Sequence, residues 1–137
     1  MSFKPAASAA WGQAFDIVGH LLVLLTVVLT VYGQLVLKWQ MSLAGPAPEP
    51  AVSKLLFLAR LLLLPWVLSA FAAAFLASFA WMGAMTRLPL SYAYPFTSLS
   101  FVLVMAFSAL VLGESISVGK VLGTLLVISG LIVIARS

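Results

Sequence analysis

Three or four stretches of this chain exceed the roughly 18 apolar residues that mark a membrane-crossing helix. That property removes most folds from consideration. In hydrocarbon each backbone N–H and C=O must find a partner within the protein, so only helices and closed barrels span. Strand-period alternation is absent, which selects a helical bundle. Composition agrees: 64% of the 137 residues are hydrophobic and 7% are charged, with a mean hydropathy of +1.23. The sequence predicts an all-α integral membrane protein, one transmembrane domain with four helices over about residues 17–38, 63–85, 90–112 and 118–135.

Within the first span Thr26, Thr30, Gln34 and Lys38 recur every four residues. On a helix this makes one slowly drifting polar stripe on a face otherwise built of Val and Leu. Gly33 lies beside it and leaves room for a close neighbour. Polar groups at such depth usually face protein or water rather than lipid. The stripe is therefore the first candidate for a pathway. At the start of the same helix Asp16 and His20 lie one turn apart. They read as an interfacial anchor with Asp16 favourable at the helix N-terminus, or as a titrating pair at a membrane mouth. Residues 1–16 form a short polar, alanine-rich lead. With Lys4 alone in its charged region and a long apolar run after it, this is not the pattern of a cleaved signal peptide.

Three prolines and a glycine make residues 41–50 a loop. Residues 52–62 carry Lys54 and Arg60 among leucines and read as an amphipathic interfacial piece. Pro65 then suits the first turn of helix two. Ala70, Ala73, Ala74, Ala77, Ala80 and Ala84 give that helix a small-residue packing face. The short link Thr86–Pro89 requires helices two and three to form an antiparallel hairpin. In helix three Pro95 removes a backbone donor and frees a carbonyl, with Ser91, Thr97, Ser98 and Ser100 at hand as partners. That half-helix is a structural adjustment or the wall of a hydrated cavity. The link Gly113–Ser117 is again tight. Ser117 is the expected N-cap of helix four, and Glu114 places negative charge near its N-terminus. Gly119 and Gly123 have GxxxG spacing, and Gly130 lies near the same face, a signal for helix association.

The chemistry available is narrow. There is no cysteine, one histidine and three acidic residues, which leaves no thiolate, little for a metal and no recognisable catalytic set. Neither an enzyme nor a cofactor is expected. The net charge of +4 comes from scattered basic residues that fit membrane flanks rather than a nucleic-acid surface. The two sides are nearly balanced in charge: Lys4, Arg87 and Arg136 face Lys38, Lys54, Arg60 and Lys120 across the membrane, and the latter side is taken as cytoplasmic. The deep parts of the helices hold no Asp or Glu, whereas proton-coupled cation export needs a titratable carboxylate. Gln34 and Lys38 near one face, with Arg60 and Arg87 at helix ends, suit an anionic head group such as a phosphate with its apolar tail in lipid. The alternative for each cation is that it snorkels to anchor a helix end. Four helices enclose too little volume for a sizeable pathway, so transport requires a second subunit, for which Gly119, Gly123 and Gly130 offer a surface.

The run LPLSYAYPFTSLSFVLVMAFSALVLGESIS followed by GTLLVISG resembles the small four-helix members of the drug/metabolite transporter superfamily, in particular the subunits of the aminoarabinose-phosphoundecaprenol flippase. The shared pattern is Pro89, Ala93, Tyr94, Pro95, Ser98, Leu99, Phe101 and Val102, with Gly33, Gln34 and Lys38 in the first helix. The resemblance implies a homo- or heterodimer in the bacterial inner membrane that flips a polyprenyl-phosphate-linked sugar. It makes Gln34, Lys38, Tyr94 and Glu114 the leading site residues, with Thr30, Arg60 and Arg87 beside them. The small multidrug resistance exporters are similar in layout, but their first-helix Glu falls near Thr30 here. A drug-exporter subunit and a non-transporting subunit docked to a membrane glycosyltransferase are the alternative functions. The N-terminal lead and the Pro-rich loop with its basic segment depart from both patterns.

Overall fold

The structure, a computed structural model, describes residues 16–137. The predicted polar lead, including Lys4, falls outside the described part except for Asp16. The described residues form α1 (Ile17–Ala44), α2 (Ala51–Leu62), α3 (Pro65–Met85), α4 (Leu90–Phe96), α5 (Leu99–Val111) and α6 (Val118–Arg136). Four segments are long and apolar enough to cross a membrane: α1, α3, α4 continued by α5, and α6. The chain is an all-helical, multi-pass membrane protein.

The bundle is organised on the α1–α3 pair, by far its most extensive contact. Here α1 contributes Val23, Val27, Val31 and Val36, and α3 contributes Val67, Ala70, Ala73, Ala77, Ala80 and Ala84, all buried. The alanine steps of three and four keep one face of α3 toward α1, and the missing bulk lets the backbones approach. Between apolar helices in lipid, dispersion rather than water release rewards that approach. The helices come close enough at Gly33 that a Cβ there would lie 3.2 Å from the Ala70 carbonyl oxygen. Two polar contacts cross the same seam. The hydroxyls of Tyr32 and Ser69 are 2.9 Å apart, and Thr26 Oγ1 donates to the Leu22 carbonyl at 2.9 Å while reaching that of Ala77 at 3.5 Å.

Asp16 caps α1: its Oδ1 accepts from the Gly19 N–H at 3.0 Å and lies 3.6 Å from Arg87 Nη1. His20 Nδ1 lies 2.7 Å from the Asp16 backbone carbonyl, so it donates, which leaves Nε2 to accept from the Tyr92 hydroxyl at 3.2 Å. Asp16 and His20 thus meet through the Asp16 backbone carbonyl. Asp16→Ala is expected to lower stability by about 1 kcal/mol through loss of the cap, whereas Asp16→Asn keeps most of it, since Asn caps equally well. Thermal unfolding in detergent reads the difference. Equal losses in both variants would shift the contribution to the Arg87 pair.

The spanning segment after Pro89 is interrupted at Thr97–Ser98, between α4 and α5. Pro95 cannot donate, and the hydroxyls of Thr97 and Ser100 donate to the carbonyls of Tyr94 and Thr97 at 2.6 and 2.7 Å. Of the four hydroxyls that the sequence offers as local partners, those of Thr97 and Ser100 bond carbonyls at the interruption, one turn back along the chain rather than at Ser91, four residues before Pro95. α6 begins at Ser117, whose side chain accepts from the Lys120 N–H at 3.3 Å. It packs lightly on α4 and α5 and buries none of its residues. The apolar faces of α2 are likewise exposed, with Leu55 at 68% and Val52 at 69%.

Candidate functional site

The polar stripe leads to one end of the bundle. Lys38 lies in the last third of α1, because the helix continues past the hydrophobic span to Ala44 before Gly45 ends it with φ +77°. α5 ends at Val111 with Leu112 as its C-cap, and Gly113, in the left-handed region at φ +67°, turns the chain so that the Glu114 N–H returns to the Ser108 carbonyl at 3.1 Å. This fixes Glu114 at the same end as Lys38. The Lys38 ammonium and the Glu114 carboxylate lie 3.2 Å apart, with the side chains 60% and 40% exposed. The sequence places Glu114 beside the N-terminus of helix four; the structure gives its carboxylate a partner on α1. A pair this exposed contributes at most ~1 kcal/mol to stability, so it opens easily.

The Glu114 member of the pair lines a cavity of about 600 Å³, within the range of small-molecule sites. Gln34, Ser100, Ser108, Glu114, Lys120 and Thr124 supply its polar lining, and Val104, Met105 and Val127 are among its apolar walls. Lys120 Nζ donates to the Ser115 carbonyl at 3.3 Å, and Thr124 Oγ1 donates to the Lys120 carbonyl at 2.8 Å. On the other side of Gln34 lies a second hollow of about 510 Å³ between α1 and α3, predominantly apolar and floored by Gly33, Ala70, Ala74 and Ala77. Thr26 and Thr30 open into this hollow. Gln34 lines both, so a polar chamber and an apolar groove adjoin at one side chain.

The seven residues selected from the sequence fall into groups. Gln34, Lys38 and Glu114 come together, and Thr30 lies one turn away in the adjoining groove. Arg87 lies beside Asp16 at the opposite membrane face, some 30 Å away along α1 at 1.5 Å per residue. Tyr94 is exposed near that face and packs edge to face with Trp81, ring centroids 6.1 Å apart. Arg60 is exposed on α2 and lines neither cavity. Lys120, Ser108 and Thr124 were not selected, although Ser100-Val104-Ser108 and Lys120-Thr124 carry the same four-residue spacing that marks the stripe on α1.

Comparison with known proteins gives this arrangement a context. The chain is 38% identical over 123 residues to the probable 4-amino-4-deoxy-L-arabinose-phosphoundecaprenol flippase subunit ArnF of Erwinia tasmaniensis, covering 85% of this chain and 93% of that protein. The chain belongs to this flippase-subunit family. The ArnF protein of Pseudomonas paraeruginosa is 35% identical over 118 residues, covering 85% of this chain and 83% of the relative. The probable ArnE subunit of Serratia proteamaculans is 43% identical over 88 residues, covering 64% and 70% respectively. No family model and no solved structure matches the chain. Membership of the ArnE/ArnF family accords with the four membrane-crossing segments, and the family's relatives are named as transport subunits rather than enzymes.

Within this family fold, the glycines expected to mediate association remain uncovered in the single chain. Among the described residues nothing comes within 4 Å of a Cβ added at Gly123 or Gly130, and one at Gly119 meets the Ser117 hydroxyl at 3.9 Å. Gly123 also borders the polar cavity. A second chain laid on that face of α6 would therefore lie against the cavity mouth.

Proposed function

We propose that the protein is one subunit of a flippase that moves an aminosugar, joined through a phosphate to a polyprenol, across the bacterial inner membrane. The observation that carries this reading is the union of a polar, hydroxyl-lined cavity with an apolar groove at Gln34. A lipid-linked sugar has a polar, anionic head and a long hydrocarbon tail, and the two spaces accommodate these separately. Lys38 holds the phosphate as a charge-assisted donor, Gln34 marks the boundary between head and tail, and Thr30 and Thr26 line the start of the tail groove. Arg60 and Lys54, on the basic helix α2, draw anionic head groups to the Lys38 side by surface attraction. Arg87 and Tyr94 meet the head on the far face.

The names of the relatives support the substrate class, and their designation as subunits E and F supports a partner of the same small size. The exposed α6 face with Gly119, Gly123 and Gly130 is the surface for that partner, as homodimer or heterodimer. Reconstitution tests the reading. Liposomes carrying the full chain, alone or with a related small subunit, are expected to expose a labelled polyprenyl-phosphate aminopentose on the opposite leaflet faster than protein-free liposomes. No acceleration in either preparation overturns the assignment.

A further inference from the structure

We infer that Glu114 selects head groups bearing a positive charge, through an exchange of ion pairs with Lys38. In the empty protein the two side chains neutralise each other at 3.2 Å, and both are substantially exposed. A ligand that offered only a phosphate would take Lys38 and leave the Glu114 carboxylate facing an anion at close range, which is unfavourable. A ligand carrying both a phosphate and an ammonium replaces one protein ion pair by two protein–ligand pairs, phosphate on Lys38 and ammonium on Glu114. No charge is then left without a partner, and only a weak, exposed pair is given up. The inference rests on the proposed flippase reading and goes beyond it by assigning the residue that distinguishes an aminosugar from a neutral one.

Three features of the site fit this exchange. The backbone at Glu114 is held by the left-handed turn at Gly113 and the bond from its N–H to the Ser108 carbonyl, so the carboxylate is presented from a fixed position. Glu114 lines the polar cavity itself, together with Gln34 and the hydroxyls of Ser100, Ser108 and Thr124, which suit the remaining hydroxyls of a sugar. Lys120 lines the same cavity and holds only a carbonyl at 3.3 Å, which makes it available as a second phosphate donor once Lys38 has released Glu114. The charged residues lining the cavity are Glu114 and Lys120, and Lys38 stands at its edge through the ion pair with Glu114.

The test uses the full chain in nanodiscs and two short-chain polyprenyl phosphodiesters of the same pentose, one with a 4-amino and one with a 4-hydroxy substituent. Affinity is read from tryptophan fluorescence, for which Trp39 adjoins Lys38 and packs against Trp66 with centroids 5.6 Å apart. Wild type is expected to prefer the amino compound by about tenfold, the scale of one hydrogen bond to a charged group. Glu114→Gln should erase that preference from both sides, weakening binding of the amino compound and tightening that of the hydroxy compound, because the carboxylate that faced its phosphate is gone and Lys38 is free. Glu114→Asp should restore much of the preference. Equal binding of both compounds by wild type, or a preference that survives in Glu114→Gln, overturns the inference while the flippase reading stands. A Glu114→Gln variant that binds neither compound also counts against it, because loss of the carboxylate should not weaken binding of the hydroxy compound. Failure of wild type to bind either compound overturns the flippase reading itself.

Discussion

Lys38→Ala is expected to weaken binding of a polyprenyl-phosphate sugar by about ten- to a hundredfold and to slow flipping in proportion. The magnitude follows from the contact removed. A hydrogen bond to a charged group is worth roughly 1.5–3 kcal/mol, and each 1.4 kcal/mol is tenfold in affinity. The fold should not suffer, because the Lys38 side chain is 60% exposed and its ion pair with Glu114 is of the weak, solvated kind. Lys38→Arg should retain most of the binding, since a guanidinium also donates to phosphate. Lys38→Glu should be worse than alanine, because it sets a second carboxylate beside Glu114. Titration of the short-chain lipid against each variant measures the series. Equal affinity in wild type and Lys38→Ala would remove Lys38 from the site, and the cavity would then have to bind its phosphate through Lys120.

The part of this site that was legible in the sequence is the part written at helical spacing. Thr26, Thr30, Gln34 and Lys38 declare a stripe because a period of four on a helix keeps residues on one face. The alanines of α3 declare a packing face by the same logic, and they do pack on α1. Pro95 with its hydroxyl neighbours announced the interruption between α4 and α5. What the sequence withheld depends on how distant elements meet. Glu114 has a sufficient local explanation beside the start of α6, and nothing in its own segment points to α1. Only when α5 packs beside α1 does the turn at Gly113 bring the carboxylate to Lys38.

The end of α1 shows a second kind of limit. The hydrophobic run stops at Lys38, yet the helix carries on to Ala44 and stops before the loop prolines, at Gly45. Hydropathy reports where lipid ends, and backbone conformation reports where the helix ends. Trp39, Gln40 and Met41 satisfy the second without continuing the first. Lys38 is therefore held more than a turn inside a helix rather than at a frayed terminus, which favours a defined position for its ammonium. Arg60, Arg87 and Tyr94 were selected by residue type and resemblance, neither of which carries distance. The structure sets Arg87 at the far face and the other two outside both cavities.

The largest effect on stability is expected at the α1–α3 seam, and two glycines there should respond differently. At Gly33 an added Cβ lies 3.2 Å from the Ala70 carbonyl oxygen, a backbone atom that no side-chain truncation can remove. Gly33→Leu should therefore force the helices apart and cost about 1–3 kcal/mol or more, as overpacking does. At Gly83 the nearest atom to an added Cβ is Leu22 Cδ1 at 3.1 Å, the far end of a flexible side chain. Gly83→Ala should be mild alone, and its residual cost should fall further when combined with Leu22→Val, which withdraws that methyl. A double-mutant cycle on thermal unfolding in detergent separates the two cases. Gly83→Ala with Leu22→Val should show favourable coupling, whereas Gly33→Leu combined with Ala70→Gly should recover little, because the obstructing oxygen remains. Full rescue of Gly33→Leu by Ala70→Gly would mean that the Ala70 methyl, rather than its carbonyl, sets the distance between the helices. The groove floored by Gly33 and Ala70 would then be deformable, and its width could no longer be what admits a hydrocarbon tail.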